Sequence, residues 1–456
     1  MIGGNKMKRK AFNELKTWKN TSCGESALLV RGARRVGKSY IVEEFAKQEY
    51  KSYILIDFNL VDEQVRDMFM HDLSDLDTFF LKLSTLFNTK LYKRESVIIL
   101  DEVQMFPRAR SAIKYLVADG RYDYIETGSL ISIRKNVEGI LIPSEEDKLD
   151  MFPMDFEEFL WAIGDETMYT LIRNCYEKKK PLGQALHRKA MDLFRQYMIV
   201  GGMPQAVKEF AKSHDFEKTD REKRRILNLY RDDIRKHAGN DAMKIEAIFE
   251  ELPSQLKNQN CHFKLSSIEK GARFSEYKDA MFWLSDAMIV NNCYNSTEPN
   301  IGLKLNRDRT LLKCYMGDTG LLISHAFDEN GIVSGEIYKK LLLDKLEVNM
   351  GMVVENIVSQ MLIVGGHKLY FYANSDRNDK DNRMEIDFLI AKSKISNRHN
   401  ISPIEVKSGK NYTLTSLNKF RRKYANQTHI PYVIHTGDLK DDGEVFYLPI
   451  YMTELL

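Results

Sequence analysis

The segment Gly32-Ala33-Arg34-Arg35-Val36-Gly37-Lys38-Ser39 sets two glycines, a lysine and a hydroxyl at the spacing G-x-x-x-x-G-K-[ST]. Glycines let the backbone curl until several N–H groups converge on one anion, and a helix that starts at the end of the loop adds its positive pole. In such a loop Lys38 would reach the β- and γ-phosphates as a point charge, and the Ser39 hydroxyl would occupy one position on Mg²⁺. Tyr40 follows in the first helical turn. The chemistry is phosphate binding, with ATP as ligand and Mg²⁺ as its ion.

Farther along, the apolar run Val97-Ile98-Ile99-Leu100 delivers Asp101 and Glu102 to a strand end, as a Walker B element does. Asp101 would hold Mg²⁺ through water and Glu102 would polarise the attacking water, because phosphoryl transfer needs positioning and charge more than covalent chemistry. Thr127-Gly128-Ser129 ends the next strand. Thr127 there would sense the γ-phosphate, or else serve as an ordinary helix cap or turn.

These residues need a parallel sheet to hold them. Ala27 to Val30 reads as a buried strand, followed by the loop and a helix over Ser39 to Gln48. Tyr53 to Asp57, Val97 to Leu100 and Tyr124 to Thr127 read as further strands with helices between. The expected class is α/β: a P-loop parallel-sheet ATPase core over residues 1–154, with a helical lid over 155–242. A winged-helix-like segment over 243–330 and a small α/β domain over 331–456 would follow. Within the third segment a helix is expected at Ser275 to Asn291 and a strand at Leu311 to Met316.

Composition narrows the classes. An apolar fraction of 43% and only 10 prolines describe a folded chain of several domains. Lys and Arg number 68 against 65 Asp and Glu, so no global field draws the chain to nucleic acid or membrane. Five scattered cysteines without a C-x-x-C pair speak against a disulfide framework or a zinc site. No run approaches the ~20 apolar residues of a membrane span, and a cytoplasmic protein without a membrane partner is expected.

A third constellation lies near the C-terminus. Alternation puts Glu385, Asp387 and Leu389 on one face of one strand, and Glu405 and Lys407 on one face of another. If the strands are adjacent, Asp387, Glu405 and Lys407 converge. Two carboxylates would hold a second Mg²⁺ and the lysine would orient water or steady a pentacovalent phosphate, the logic of metal-dependent phosphodiester hydrolysis. The D, then E-x-K, spacing resembles the restriction-endonuclease-like superfamily, and Glu355 matches the upstream glutamate of that fold. Any half-exposed strand shows a similar alternation.

The phosphate loop, Leu100-Asp101-Glu102-Val103-Gln104, Thr127-Gly128-Ser129, Phe156-Glu157-Glu158-Phe159, Gly201-Gly202-Met203-Pro204 and Tyr315-Met316-Gly317-Asp318-Thr319-Gly320-Leu321 together resemble a prokaryotic family of AAA+-like ATPases. In that family a C-terminal domain of uncharacterised function follows the ATPase. The resemblance implies an ATPase core, a winged helix, and a lid whose Gly202 and Pro204 lie close to the adenine. The chain departs from the family before Phe156, where Gly139 to Pro143 and an acidic insert, Glu145-Glu146-Asp147, stand in place of a Gly-Arg pair. Arg108, Arg110 and Arg134 are therefore candidates for the arginine that would complete a neighbour's site in a homo-oligomer. Three functions remain open: an ATP-driven switch or motor engaging DNA or another macromolecule, an ATP-gated Mg²⁺-dependent nuclease, and an ATP-binding module without turnover. The basic stretch Lys407 to Lys423 and the helix at Ser275 are the candidate DNA contacts.

Overall fold

The computed structural model describes residues 7–129, 144–257, 262–300, 302–327, 350–374, 376, 382–391, 400–409 and 411–456. Arg134, the stretch 139–143, Lys410 and the boundary at 331 lie outside the described residues. The chain forms two compact units, Met1–Phe152 with Asp286–Met288, and Pro153–Ser285 with Ile289–Leu456.

In the first unit α1 (Ala11–Ser22) precedes β1 (Ala27–Arg31), α2 (Lys38–Glu49) and β2 (Ser52–Asp57). Helices α3 (Glu63–His71) and α4 (Leu76–Leu86) lead to β3 (Ser96–Asp101), α5 (Pro107–Asp119), β4 (Asp123–Gly128) and β5 (Glu146–Asp150). The five strands run parallel in the order β2-β3-β4-β1-β5. Every residue of β3 and β4 is buried, as expected of central strands in a parallel sheet covered on both faces. One apolar layer is closed by Ile54, Ile56, Ile98 and Leu100 packed with Phe58, Phe69 and Phe79. Because β4 lies between β1 and β3, the ends of all three strands open on the same edge of the sheet, where parallel sheets bind ligands.

The acidic insert belongs to this sheet. Residues Glu146 to Asp150 pair in parallel with Ala27 to Arg31, although Glu-Asp-Lys-Leu-Asp has almost none of the β-branched and aromatic residues that mark strands. The Glu146 side chain is buried and accepts three hydrogen bonds from the Arg110 guanidinium, at 2.9, 3.0 and 3.1 Å. Arg110 is therefore tied into the interior, whereas Arg108 is exposed.

The second unit begins with helices α6 (Phe156–Ala162), α7 (Met168–Glu177), α8 (Gln184–Val200), α9 (Pro204–Ser213), α10 (Phe216–His237), α11 (Ala242–Lys257) and α12 (Phe274–Asp286). The helix expected to reach Asn291 stops at Asp286, because Met288 turns the backbone to φ 57° and the strand-forming Val290-Asn291-Asn292-Cys293-Tyr294 follows. Strands β6 (Val290–Ser296) and β7 (Arg307–Met316) form an antiparallel hairpin, followed by α13 (Thr319–Ala326) and α14 (Met350–Val364). The remainder is β8 (Tyr370–Asn374), β9 (Met384–Ala391), β10 (Ile401–Lys407), α15 (Thr415–Lys423), β11 (Tyr432–His435), β12 (Lys440–Asp441) and β13 (Phe446–Pro449). All eight strands make one mixed sheet, β12-β13-β11-β10-β9-β8-β6-β7. The hairpin from the expected winged-helix segment is thus joined to the C-terminal strands through a parallel β6–β8 pair, Tyr294 opposite Tyr370.

Candidate functional site

The phosphate loop is shaped by backbone requirements. Gly37 sits at φ 95° and Arg35 at φ 70°, so the loop turns twice through the left-handed region before α2 begins at Lys38. Gly32 meets another demand: a Cβ there would lie 2.3 Å from the Met151 carbonyl oxygen, just past β5. Ala33 and Val36 are buried, while Arg34, Arg35 and Tyr40 are exposed. The buried Lys38 ammonium donates to the Gly32 and Ala33 carbonyls at 3.0 and 3.1 Å, folded back over the loop whose ligand it would meet.

Asp101 is the hub beneath this loop. Its Oδ1 accepts from the Ser39 hydroxyl at 2.7 Å and from the Thr127 hydroxyl in a short bond. Thr127 Oγ1 in turn accepts the Glu102 N–H at 3.2 Å, so one threonine fixes both acidic residues. Burial pushes the Asp101 carboxyl above its usual range, and Glu102 and Asp57 add to that; the two hydroxyl bonds oppose it. Glu102 takes φ 52°, which turns it out of the strand, and its Oε2 accepts from the Gln104 side chain.

Arg9 is a contributor that motif reading passed over. Its guanidinium donates to the Val36 carbonyl and to the Phe152 carbonyl, both at 2.8 Å, and it is only 6% exposed. It clamps the loop from the N-terminal segment.

Gly202 and Pro204 have defined places within the second unit. The Gly202 N–H donates to Asp318 Oδ2 at 2.5 Å, and its carbonyl accepts the Met154 N–H at 2.6 Å. A Cβ on Gly202 would lie 2.1 Å from the Met154 carbonyl. Pro204 opens α9 at a position where a missing N–H costs nothing. Asp318 also caps α13 through the Leu321 N–H at 2.8 Å, which joins the Gly-Gly-Met-Pro turn to the Gly-Asp-Thr-Gly turn. Next to it, Thr319, Gln360, Asn356 and Tyr197 form a buried hydrogen-bonded chain.

The C-terminal constellation does assemble. Antiparallel pairing of β9 with β10 sets Phe388 opposite Ile404, which brings Asp387 and Glu405 together; Asp387 Oδ2 accepts the Val406 N–H at 2.7 Å. Lys407 Nζ lies 2.8 Å from Glu405 Oε2, and Glu405 Oε1 accepts the Leu417 N–H at the start of α15. Glu355 joins from α14, its Oε2 accepting the Tyr315 hydroxyl at 2.9 Å. A residue outside the expected set enters from β7: Lys313 Nζ stands 2.9 Å from Glu385, 3.7 Å from Glu355 and 4.0 Å from Asp387. Burial, reinforced by Glu355 and opposed by Lys313, pushes the Asp387 carboxyl up to about 7. Among the described residues no group of three or more His, Cys, Asp or Glu side chains converges closely enough to hold a metal ion.

The parallel sheet, the loop at its edge and the acidic strand end beside it define the first unit as an AAA+-like P-loop ATPase domain. In agreement, residues 24–160 match the family model of an AAA domain. Residues 191–330 and 350–452 match models of two domains of unknown function, DUF8612 and DUF4143. No curated protein matches the chain. Among solved structures, the Walker-type ATPase paby2304 of Pyrococcus abyssi is similar at 14% identity and TM-score 0.42, over 70% of this chain and 96% of that one. The RuvB Holliday junction branch migration motor of Thermotoga maritima is similar at 11% identity and TM-score 0.29, over 62% of this chain and 89% of that one. AMPPCP-bound DnaA of Aquifex aeolicus gives 10% identity and 0.25, over 62% and 85%. Among the described residues no helix is long and apolar enough to cross a membrane.

Proposed function

We propose that the chain binds ATP with Mg²⁺ at Gly32 to Ser39, hydrolyses it, and uses the nucleotide state as a switch or motor read by the second unit. The observation that carries this reading is the Ser39–Asp101–Thr127 arrangement under the loop. A hydroxyl and a carboxylate already in contact are a donor set that fits Mg²⁺, which would supply charge neutralisation of the β- and γ-oxygens. Lys38 would leave the Gly32 and Ala33 carbonyls for the phosphates, a stronger, charge-assisted bond. Loop N–H groups and the first turn of α2 would hold the phosphate chain. Glu102, oriented by Gln104 and by the Thr127 contact to its N–H, would align the attacking water. Arg34 in the loop and Tyr40 in the first turn of α2 are exposed.

Phosphate release is the test, measured with and without single-stranded, double-stranded and branched DNA. Turnover is expected in the parent and not in Glu102→Gln; equal rates in the two would sink the hydrolysis reading. Stimulation by any DNA would make nucleic acid the partner. A Mg²⁺-dependent nuclease gated by the ATPase is the reading that the spacing of Asp387, Glu405 and Lys407 left open, and DNA cleavage products read from the same tubes would decide for it.

A further inference from the structure

A restriction-endonuclease-like site implies a divalent cation between Asp387 and Glu405, and the residues present do not fit one. Asp387 Oδ2 accepts the Val406 N–H, Glu405 Oε1 accepts the Leu417 N–H, and the Lys407 ammonium stands 2.8 Å from Glu405 Oε2. On the other side of Asp387 the cationic position is filled. Lys313 Nζ is within 4.0 Å of Glu385, Glu355 and Asp387, which come from β9 and α14.

Lys313 is 1% exposed, so its charge depends on these carboxylates for the solvation that water does not give it. Its backbone is fixed as well. Lys313 pairs with Cys293 in the β6–β7 ladder, and the Phe371 ring lies against the ammonium with its centroid 5.2 Å away. A Mg²⁺ ion entering here would have to displace a buried ammonium. Breaking a buried ion pair by removing one partner's compensation is far more costly than never forming it.

We propose that Lys313 is the resident cation of this carboxylate site: its ammonium takes the place a nuclease gives to the metal, and the site neither binds a divalent ion nor cuts phosphodiesters. The restriction-endonuclease-like architecture is retained with its metal position filled by the chain itself. This assignment is independent of ATP hydrolysis in the first unit.

The experiment uses the full chain without nucleotide and Mn²⁺ as the probe, with bound ion read by electron paramagnetic resonance. Four proteins are compared: the parent, Asp387→Asn, Lys313→Met and Lys313→Met with Asp387→Asn. The parent and Asp387→Asn are expected to give the same Mn²⁺ titration. Lys313→Met should gain one additional Mn²⁺ site, at least tenfold tighter than any residual binding, and the double variant should lose it. Lys313→Gln, which keeps a polar side chain at the buried position, repeats the test should the methionine variant fail to fold. Mn²⁺ binding by the parent that Asp387→Asn removes would overturn the proposal, and so would Asp387-dependent cutting of DNA by the parent. Absence of any gained site in the folded Lys313 variants would overturn it too.

Discussion

Lys38 and Lys313 are both buried, yet the groups that face their ammonium ions differ in kind. Lys38 rests on two carbonyls, and the nearby Asp101 is held by hydroxyls. Hydroxyls hold the Asp101 carboxylate without cancelling its charge, which suits it to an incoming cation. Lys313 rests on carboxylates. There the charges already answer each other, and charge-assisted bonds are about twice as strong as neutral ones. The comparison teaches that a buried lysine bonded to carbonyls and one set among carboxylates prepare a site in different ways.

The largest expected effect is on ATP affinity. Lys38→Ala should weaken it by roughly 100-fold or more, the scale of truncating a buried charge pair, while Lys407→Ala leaves it unchanged; calorimetric titration of both variants would break the comparison if they behaved alike. Glu102→Gln should lower turnover by about 100-fold with ATP affinity retained, which steady-state phosphate release against equilibrium binding would show. Arg9→Ala strands the Val36 and Phe152 carbonyls and should cost about 1–3 kcal/mol of stability in the first unit, with a several-fold loss of ATP affinity; intact melting behaviour would make Arg9 dispensable to the loop. The smallest effect concerns a third buried lysine. Lys223 donates to the Ile199 carbonyl at 2.8 Å, and burial lowers its pKa to about 8, with Asp220 and Asp318 opposing the shift. Below about pH 8 it is charged in both the folded and unfolded states, and the full burial penalty applies. Between pH 8 and the ordinary lysine value of 10.5 the folded state binds fewer protons, so stability rises with pH, by up to about 1.4 kcal/mol per pH unit. Urea melts of the parent and Lys223→Met at pH 7.5 and 9.5 should show this gain in the parent alone.

What could be read from the chain was local. The phosphate loop, the four apolar strands around it and the β9–β10 alternation are each written in fewer than about ten consecutive residues, where period and glycine placement suffice. Arg9 reaches Val36 and Phe152 from far along the chain, and nothing near Arg9 marks it. Lys313 sits in an apolar strand as a lone charge, which was its one available signal: a lysine between Leu312 and Cys314 in a strand buried at both neighbours needs a buried counter-charge. Strand β5 was hidden because its acidic residues find partners elsewhere, Glu146 with Arg110 of α5 and Asp150 with Arg31 of β1, rather than showing a β-forming composition. Thr127 was placed at its strand tip from sequence, but its bond to Asp101 required the parallel register of β3 and β4.

The parallel pair between β6 and β8 bears on how the C-terminal domain can be isolated. A fragment beginning near residue 331 would lose β6 and β7, leaving the edge of β8 at Tyr370 unpaired and prone to self-association. It would also lose Lys313, so the carboxylates of Glu355, Glu385 and Asp387 would be uncovered in the same cut. Metal binding or DNA cleavage by such a fragment would then be a property created by the excision, and only a fragment that keeps the hairpin can speak for the intact protein.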